Sequence, residues 1–233
     1  MGLKEYRRPL LLGFALLLLA GGIVSGVLWY DAQNASKAQD LEREATLHYF
    51  TRPSDDPKKA ETNLKEAIAL YKKVVEDYPR TPTAPLALFN LGNALLQANE
   101  VDAAIEAYKR FVLMYGSNVS LLGLVHQKLG YAYLLKGDRD QAAKAYSTVL
   151  EIPGSLNRDS ALFELARLEE SQSRPEGALA HYQDLMKTYP NSPFANEAAI
   201  RVKVLEVKKS PEPTPAASPA SVPSASPKPP TKP

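Results

Sequence analysis

Three kinds of hydrophobic patterning follow one another along the chain. Leu10 to Tyr30 is an unbroken apolar block without a charge. As a helix rising about 1.5 Å per residue it would span about 30 Å, the thickness of a bilayer's hydrocarbon core. From Ala32 to Lys209 small and large apolar residues recur with a helical period, which predicts amphipathic helices that bury one face. From Ser210 onward 9 of the last 24 residues are proline and most others are serine, alanine or threonine. Such a stretch has too little apolar surface to offset its ordering entropy, and it is expected to be an unstructured tail.

The central region repeats itself. Lys65–Tyr71, Asp102–Tyr108, Asp140–Tyr146 and Glu176–Tyr182 superimpose, with Ala67, Ala104, Ala142 and Ala178 each followed four residues later by a tyrosine. Successive tyrosines lie 37, 38 and 36 residues apart, a period that marks a solenoid of two-helix units. Leu91-Gly92, Leu129-Gly130 and Leu165-Ala166 precede the last three alanines by a constant interval. They predict a partner helix that approaches closely at its small residue. Pro79, Pro153 and Pro190 close the tyrosine helices, because proline lacks the N–H that would continue the ladder. Asn99, Asp138 and Ser173 fall where N-caps are expected, and Ser173-Arg174-Pro175-Glu176 reads as a capping box.

Through these residues the chain resembles the tetratricopeptide repeat (TPR) family. Three hairpins match over about 82–190, and an earlier one matches only in its second helix. Its first helix, Ala32 to about Phe50, is expected to run straight on from the apolar block. The connection from Thr51 to Pro57 is longer than the repeat normally has. Phe194–Lys209 has the spacing of a final helix covering the open end, started by Ser192-Pro193. The expected fold is all-α: an N-terminal transmembrane helix, then a right-handed solenoid of about four hairpins and a capping helix. The expected divisions are 1–9, a short basic segment; 10–30, the membrane helix; 31–81, a divergent first hairpin; 82–209, repeats and cap; and 210–233, the tail.

Charge orients this arrangement. Arg7 and Arg8 precede the apolar block and Asp31 follows it. The positive-inside rule therefore puts the N-terminus in the cytoplasm and the repeats across the membrane, with Trp29 and Tyr30 in the interfacial aromatic belt. A cleaved signal peptide ending near Gly21-Gly22 is the competing reading, but the block continues well past that point. Gly22…Gly26 matches the GxxxG spacing through which membrane helices dimerise, the basis for a homo-oligomer. The whole chain carries only +2, and basic residues neither cluster nor interleave with aromatics, so no nucleic-acid partner is expected.

Candidate chemistry is sparse. The chain has no cysteine and 3 histidines. His48, His126 and His181 lie in different hairpins without a second ligand one turn away, and His126 stands where the repeat wants a large apolar residue. No phosphate loop, nucleophile elbow or zinc motif is present. Neither an enzyme nor a cofactor or metal is expected. What remains is the concave wall, which the resemblance to TPR proteins places on the first helix of each hairpin. Carried over by register from the Leu-Gly pairs, its positions are Phe89 and Asn93, Gln127 and Tyr131, Phe163 and Arg167. Aromatic area with amide and guanidinium donors suits an extended peptide or a partner helix. The competing reading is that Phe89 and Phe163 pack against the next hairpin.

The order of parts is similar to the YfgM-like ancillary subunit family of the bacterial Sec translocon, most closely where Trp29-Tyr30-Asp31-Ala32-Gln33 runs into Ala38, Ala45 and Tyr49. That resemblance implies a single-pass inner-membrane protein with a periplasmic repeat domain, holding chaperones or exported clients near the translocon. An alternative is a cell-envelope scaffold for outer-membrane assembly or division. The Tyr-Pro…Ser-Pro…Ala pattern at Tyr189-Pro190-Asn191-Ser192-Pro193-Phe194-Ala195 resembles such proteins, and a long tail suits them as a spacer.

Overall fold

The structure is a computed structural model that describes residues 7–51, 53 and 55–209. The expected tail, 210–233, and the start of the basic segment lie outside the described residues. Nine helices are found among them: α1 (Arg7–Phe50), α2 (Pro57–Asp77), α3 (Ala84–Gln97), α4 (Val101–Tyr115), α5 (Val119–Lys136), α6 (Arg139–Glu151), α7 (Arg158–Ser171), α8 (Pro175–Thr188) and α9 (Ala195–Lys209). Each packs on the next in sequence, and α3 also touches α1 and α5 directly. The result is an all-α, TPR-like stack of four hairpins capped by α9.

The repeated alanines and tyrosines hold the hairpins together. Ala67, Ala104, Ala142 and Ala178 have no exposed surface, and Tyr71, Tyr108, Tyr146 and Tyr182 are the largest fully buried side chains. The rings of Tyr108 and Tyr146 lie across Gly92 and Gly130 of the preceding helices. A Cβ placed on Gly130 would stand 2.8 Å from Cε1 of Tyr146, so only glycine lets the backbone come this close. In the fourth hairpin Ala166 and Tyr182 are both buried in one apolar cluster.

The first hairpin keeps this packing scheme in both helices, although only α2 carries the repeat's sequence pattern. Ala38 and Ala45 on α1 are completely buried, and Thr46, next to Ala45, hydrogen-bonds the Tyr71 hydroxyl at 2.9 Å. Ala45-Thr46 thus stands where Gly92-Asn93 stands in the next hairpin. The longer connection had displaced this pair from the expected spacing. Asn63, itself buried, donates from Nδ2 to the Thr51 carbonyl and ties that connection to α2.

Helix ends also differ from expectation at two of three places. Asp138 is an N-cap, accepting from the Gln141 amide at 3.1 Å. Asn99 and Ser173 are not. Both adopt the left-handed conformation, with φ of 61° and 58°, and the helix after each begins with a residue lacking a side-chain cap bond, Glu100 or Arg174. They occupy the place of Gly137, φ 84°, at the end of α5. All three turns share one pattern: Glu100 to Leu95, Asp138 to Tyr133 and Arg174 to Glu169, each enclosing a shorter bond. This is the Schellman closure of the preceding helix, so the predicted capping box at Ser173 is absent. Pro193, expected to start the last helix, stands two residues ahead of Ala195, where α9 begins.

Candidate functional site: the inner wall of the solenoid

The direct contacts of α3 with α1 and α5 place these first helices of successive hairpins in one layer, the layer that the tetratricopeptide resemblance makes the inner wall. The tyrosines of the even helices reach this wall from behind. Tyr108 donates its hydroxyl proton to Asn93 Oδ1 at 2.8 Å, Tyr182 donates to Glu170 Oε2 at 2.8 Å, and Tyr71 pairs with Thr46. Burial pushes the Tyr71 phenol up to about 12 and raises those of Tyr108, Tyr146 and Tyr182 as well. They remain neutral hydroxyls that position wall residues, and they do not supply a base or a nucleophile.

The six predicted wall residues do not all face outward. Tyr131 is exposed, about half its surface reachable. Arg167 is also exposed, held beside Glu164 at 3.3 Å. Asn93 and Phe89 are half-buried, the first holding the Tyr108 hydroxyl and the second lying 6.4 Å from its ring. Gln127 spends both ends of its amide inside the protein, donating to Ser160 Oγ and accepting from Asn157 Nδ2 at 2.9 Å. Phe163 is only 4% exposed, stacked on Phe194 at 4.9 Å and set 5.7 Å from Tyr182. Phe163 is therefore part of the core beneath α9, because the turn before α9 brings Phe194 over it.

Sequence reasoning missed the extension of the wall onto α9. Tyr189-Pro190 leads into Ala195 and Ala198 as Tyr78-Pro79 leads into Ala84 and Ala87. The backbone bonds agree: Thr81 to Tyr78 and Ala84 to Thr81, Ser192 to Tyr189 and Ala195 to Ser192. In this register α9 is the first helix of a further repeat, with Ile200 and Val204 at the positions of Phe89 and Asn93. Both are exposed, Ile200 at 63%. Lys203 falls where Gly92 lies, a site at which no tyrosine ring from a following helix could seat. Leu124 and Leu135 add exposed apolar surface on the Tyr131 stripe. Successive inner helices are joined by Asn90 donating to Glu42 at 3.4 Å and by Arg201 beside Glu170 at 3.8 Å. The wall alternates apolar patches with fixed amides and ion pairs.

No group of side chains suited to a metal ion occurs among the described residues. His126 lies in the core position held by Leu88 and Leu162 in the neighbouring hairpins. Its Nδ1 is buried without a hydrogen-bond partner, and burial lowers its pKa. His48 meets Glu66 at 3.0 Å on the outside of the first hairpin. One helix among the described residues is long and apolar enough to cross a membrane, the part of α1 from Leu16 onward.

The family model of the tetratricopeptide repeat matches residues 60–117 and 128–193, more than half of the chain. Among solved structures, a TPR protein from Parabacteroides merdae is 15% identical with a TM-score of 0.58, over 74% of this chain and 61% of that one. The chain thus spans less than two thirds of that relative. The MamA protein is 18% identical, with a TM-score of 0.52 over 76% of this chain and 93% of its own. TPR-like repeats of a kinesin light chain from Podospora anserina are 15% identical, with a TM-score of 0.56 over 75% and 87%. At these identities the likeness is one of fold. No curated protein matches significantly.

Proposed function

Because the chain belongs to the tetratricopeptide repeat family, a fold that acts as a non-catalytic scaffold for protein–protein contacts, we propose that it is a membrane-anchored adaptor holding a polypeptide partner against the wall formed by α3, α5, α7 and α9. The observation that carries this reading is the exposed stripe of Leu124, Tyr131, Leu135, Arg167, Ile200 and Val204 on the inner helices. A solenoid in need only of solubility would present polar residues there. Its mixture of apolar area and one exposed guanidinium fits an extended segment or an amphipathic helix.

The anchor is α1. Leu16 to Leu19, Ile23, Val24, Val27 and Leu28 are all more than half exposed, so they are not core residues of the stack and need another apolar environment. With Arg7 and Arg8 on one side and Asp31 on the other, the repeats lie outside the cytoplasm, in a bacterial cell on the periplasmic face of the inner membrane. In that place the resemblance to the YfgM-like translocon subunits gives the partners as exported clients and their chaperones. The envelope-scaffold reading draws on the proline-rich sequence after Ser210.

Two measurements test this. Alkaline carbonate washing should leave the full-length protein in the membrane, and release of a shortened chain would overturn the anchor. A photo-crosslinking residue at Tyr131 should capture a polypeptide partner in living cells, while one at Lys144 on the outer layer should not. Adducts with translocon components, chaperones or exported chains favour the adaptor; adducts with division or outer-membrane assembly proteins favour the envelope scaffold. Equal labelling from both positions would mean that the wall is not the working surface.

A further inference from the structure

The turns that follow the even helices form one edge of the solenoid, and that edge is tied together by side chains. Tyr115 at the end of α4 donates its hydroxyl to the Pro79 carbonyl at 2.6 Å. Asn157, before α7, donates to the Gly123 carbonyl at 3.1 Å, and Ser192, before α9, donates to Asp159 at 2.7 Å. The same edge meets α1. An open cleft of about 420 Å³ is lined by Val27, Tyr30 and Asn34 of α1 and by Tyr78, Pro79 and Arg80 of the turn after α2. That turn is therefore level with the last residues of the apolar block and the first beyond it.

Depth follows from helix rise. If the hydrocarbon boundary lies near Tyr30, Asn34 stands about 6 Å beyond it. A bilayer's headgroup layer is about 5–8 Å thick on each side, so the turn after α2 falls within it. At this edge the protein also exposes large apolar side chains: Leu113 at 85%, with Met114 and Val119 on either side of the next turn. Met114 shares a second cleft with Pro79 and Arg80. On the opposite edge the turns at Asn99, Gly137 and Ser173 present polar residues and glycine, while the exposed Leu47 and Phe50 stand at the far end of α1, about 25–30 Å beyond Tyr30 and out of reach of the bilayer.

We propose that this edge is a second membrane contact: the turns after α2 and α4 rest in the headgroup layer of the bilayer that α1 crosses, with Leu113, Met114 and Val119 dipping into its apolar boundary. The proposal rests on the reading of α1 as a membrane span. The occupant is lipid because the edge continues directly from the span, at a depth where a protein partner would first have to displace lipid. Arg80 is placed to meet a lipid phosphate, but Asp77 is exposed beside it. Apolar insertion rather than net charge therefore drives the contact, which persists on neutral phosphatidylcholine and at raised salt.

The absence of cysteine makes the test direct, because a single introduced thiol is the only one to label. Full-length Leu113→Cys, Gln97→Cys and Leu19→Cys are labelled with an environment-sensitive fluorophore and reconstituted in phosphatidylcholine vesicles with or without nitroxide lipids. Gln97 is exposed at the far end of α3, about 20 Å from the edge. The expected result is blue-shifted emission at position 113, quenched by a nitroxide near the headgroup, with neither effect at 97. Label at 19 should be quenched by a nitroxide deep in the acyl chains. Quenching at 19 with none at 113 overturns the edge contact and leaves the span intact. No quenching at 19 overturns the span and, with it, the edge contact. A blue shift at 113 that ignores nitroxide lipid means that protein covers this edge, and it also overturns the proposal.

Discussion

Tyr108 touches Gly92 and Asn93 at once: its ring lies over the glycine, and its hydroxyl donates to Asn93 Oδ1 at 2.8 Å. The same tyrosine therefore sets how closely two helices approach and how a wall residue is oriented. A Cβ on Gly92 would meet Cζ of that ring at 2.7 Å. Gly92→Ala should destabilise the protein by about 1–3 kcal/mol through overpacking, even though alanine is the better helix former by about 1 kcal/mol. Thermal unfolding checks this, and an unchanged midpoint would show that the ring is not seated there.

The left-handed turn at Ser173 leads to the opposite expectation. A non-glycine residue at φ 58° carries strain that glycine lacks. Ser173→Gly should raise stability by about 0.5–1 kcal/mol. Asn99→Gly should gain less, because asparagine tolerates this conformation better. If instead these residues capped the following helices, both changes would lower the melting point.

His126 has its Nδ1 buried without a partner in a site filled by leucine in adjacent hairpins. His126→Leu should stabilise by about 1–3 kcal/mol, the usual penalty of an unsatisfied buried polar group. Its pKa is lowered in the folded state, so its contribution is present above the unfolded value of about 6.5 and is lost as pH falls through the lower folded value. The wild type should lose stability on mild acidification by an increment that the leucine variant lacks. Denaturant midpoints at neutral and mildly acidic pH measure it.

Alkali acts through the buried tyrosines. Tyr71 is raised to about 12 from an unfolded value of 10.0. The folded state thus holds this proton more tightly, and the associated stability is complete below pH 10 and lost as pH rises toward about 12. Tyr108, Tyr146 and Tyr182 are raised in the same direction. The phenolate absorbance that Tyr71→Phe, Tyr108→Phe, Tyr146→Phe and Tyr182→Phe variants lack should therefore appear together with the loss of helix content. Ionisation of these four rings with the helices intact would mean that they are not buried.

Much of this was readable because the stacking contact is local in the repeat: an alanine, a tyrosine one turn on, and a glycine or alanine at a constant interval before them. Where the interval changed, the packing was no longer visible in the sequence. Ala45 is 22 residues from Ala67, whereas Gly92 is 12 from Ala104, so the first hairpin looked incomplete although it is packed like the rest. Asn99 and Ser173 were misassigned because both residue types suit an N-cap as well as a left-handed turn. Only the bonds made by the neighbouring amides distinguish the two. Phe89 and Phe163 share a register, and their difference in exposure comes from Phe194, a residue of another hairpin. The wall on α9 went unseen because the glycine that marks the register is replaced there by Lys203.

Helix α1 runs without interruption from Arg7 to Phe50, and after Gly26 it contains neither glycine nor proline. It therefore acts as an axle with no universal joint: in the proposed anchor, the roll of the apolar block fixes the compass bearing of the inner wall. A helix turns about 100° per residue. One extra residue between Asp31 and Lys37 would thus swing the wall by more than a quarter circle while leaving its surface untouched.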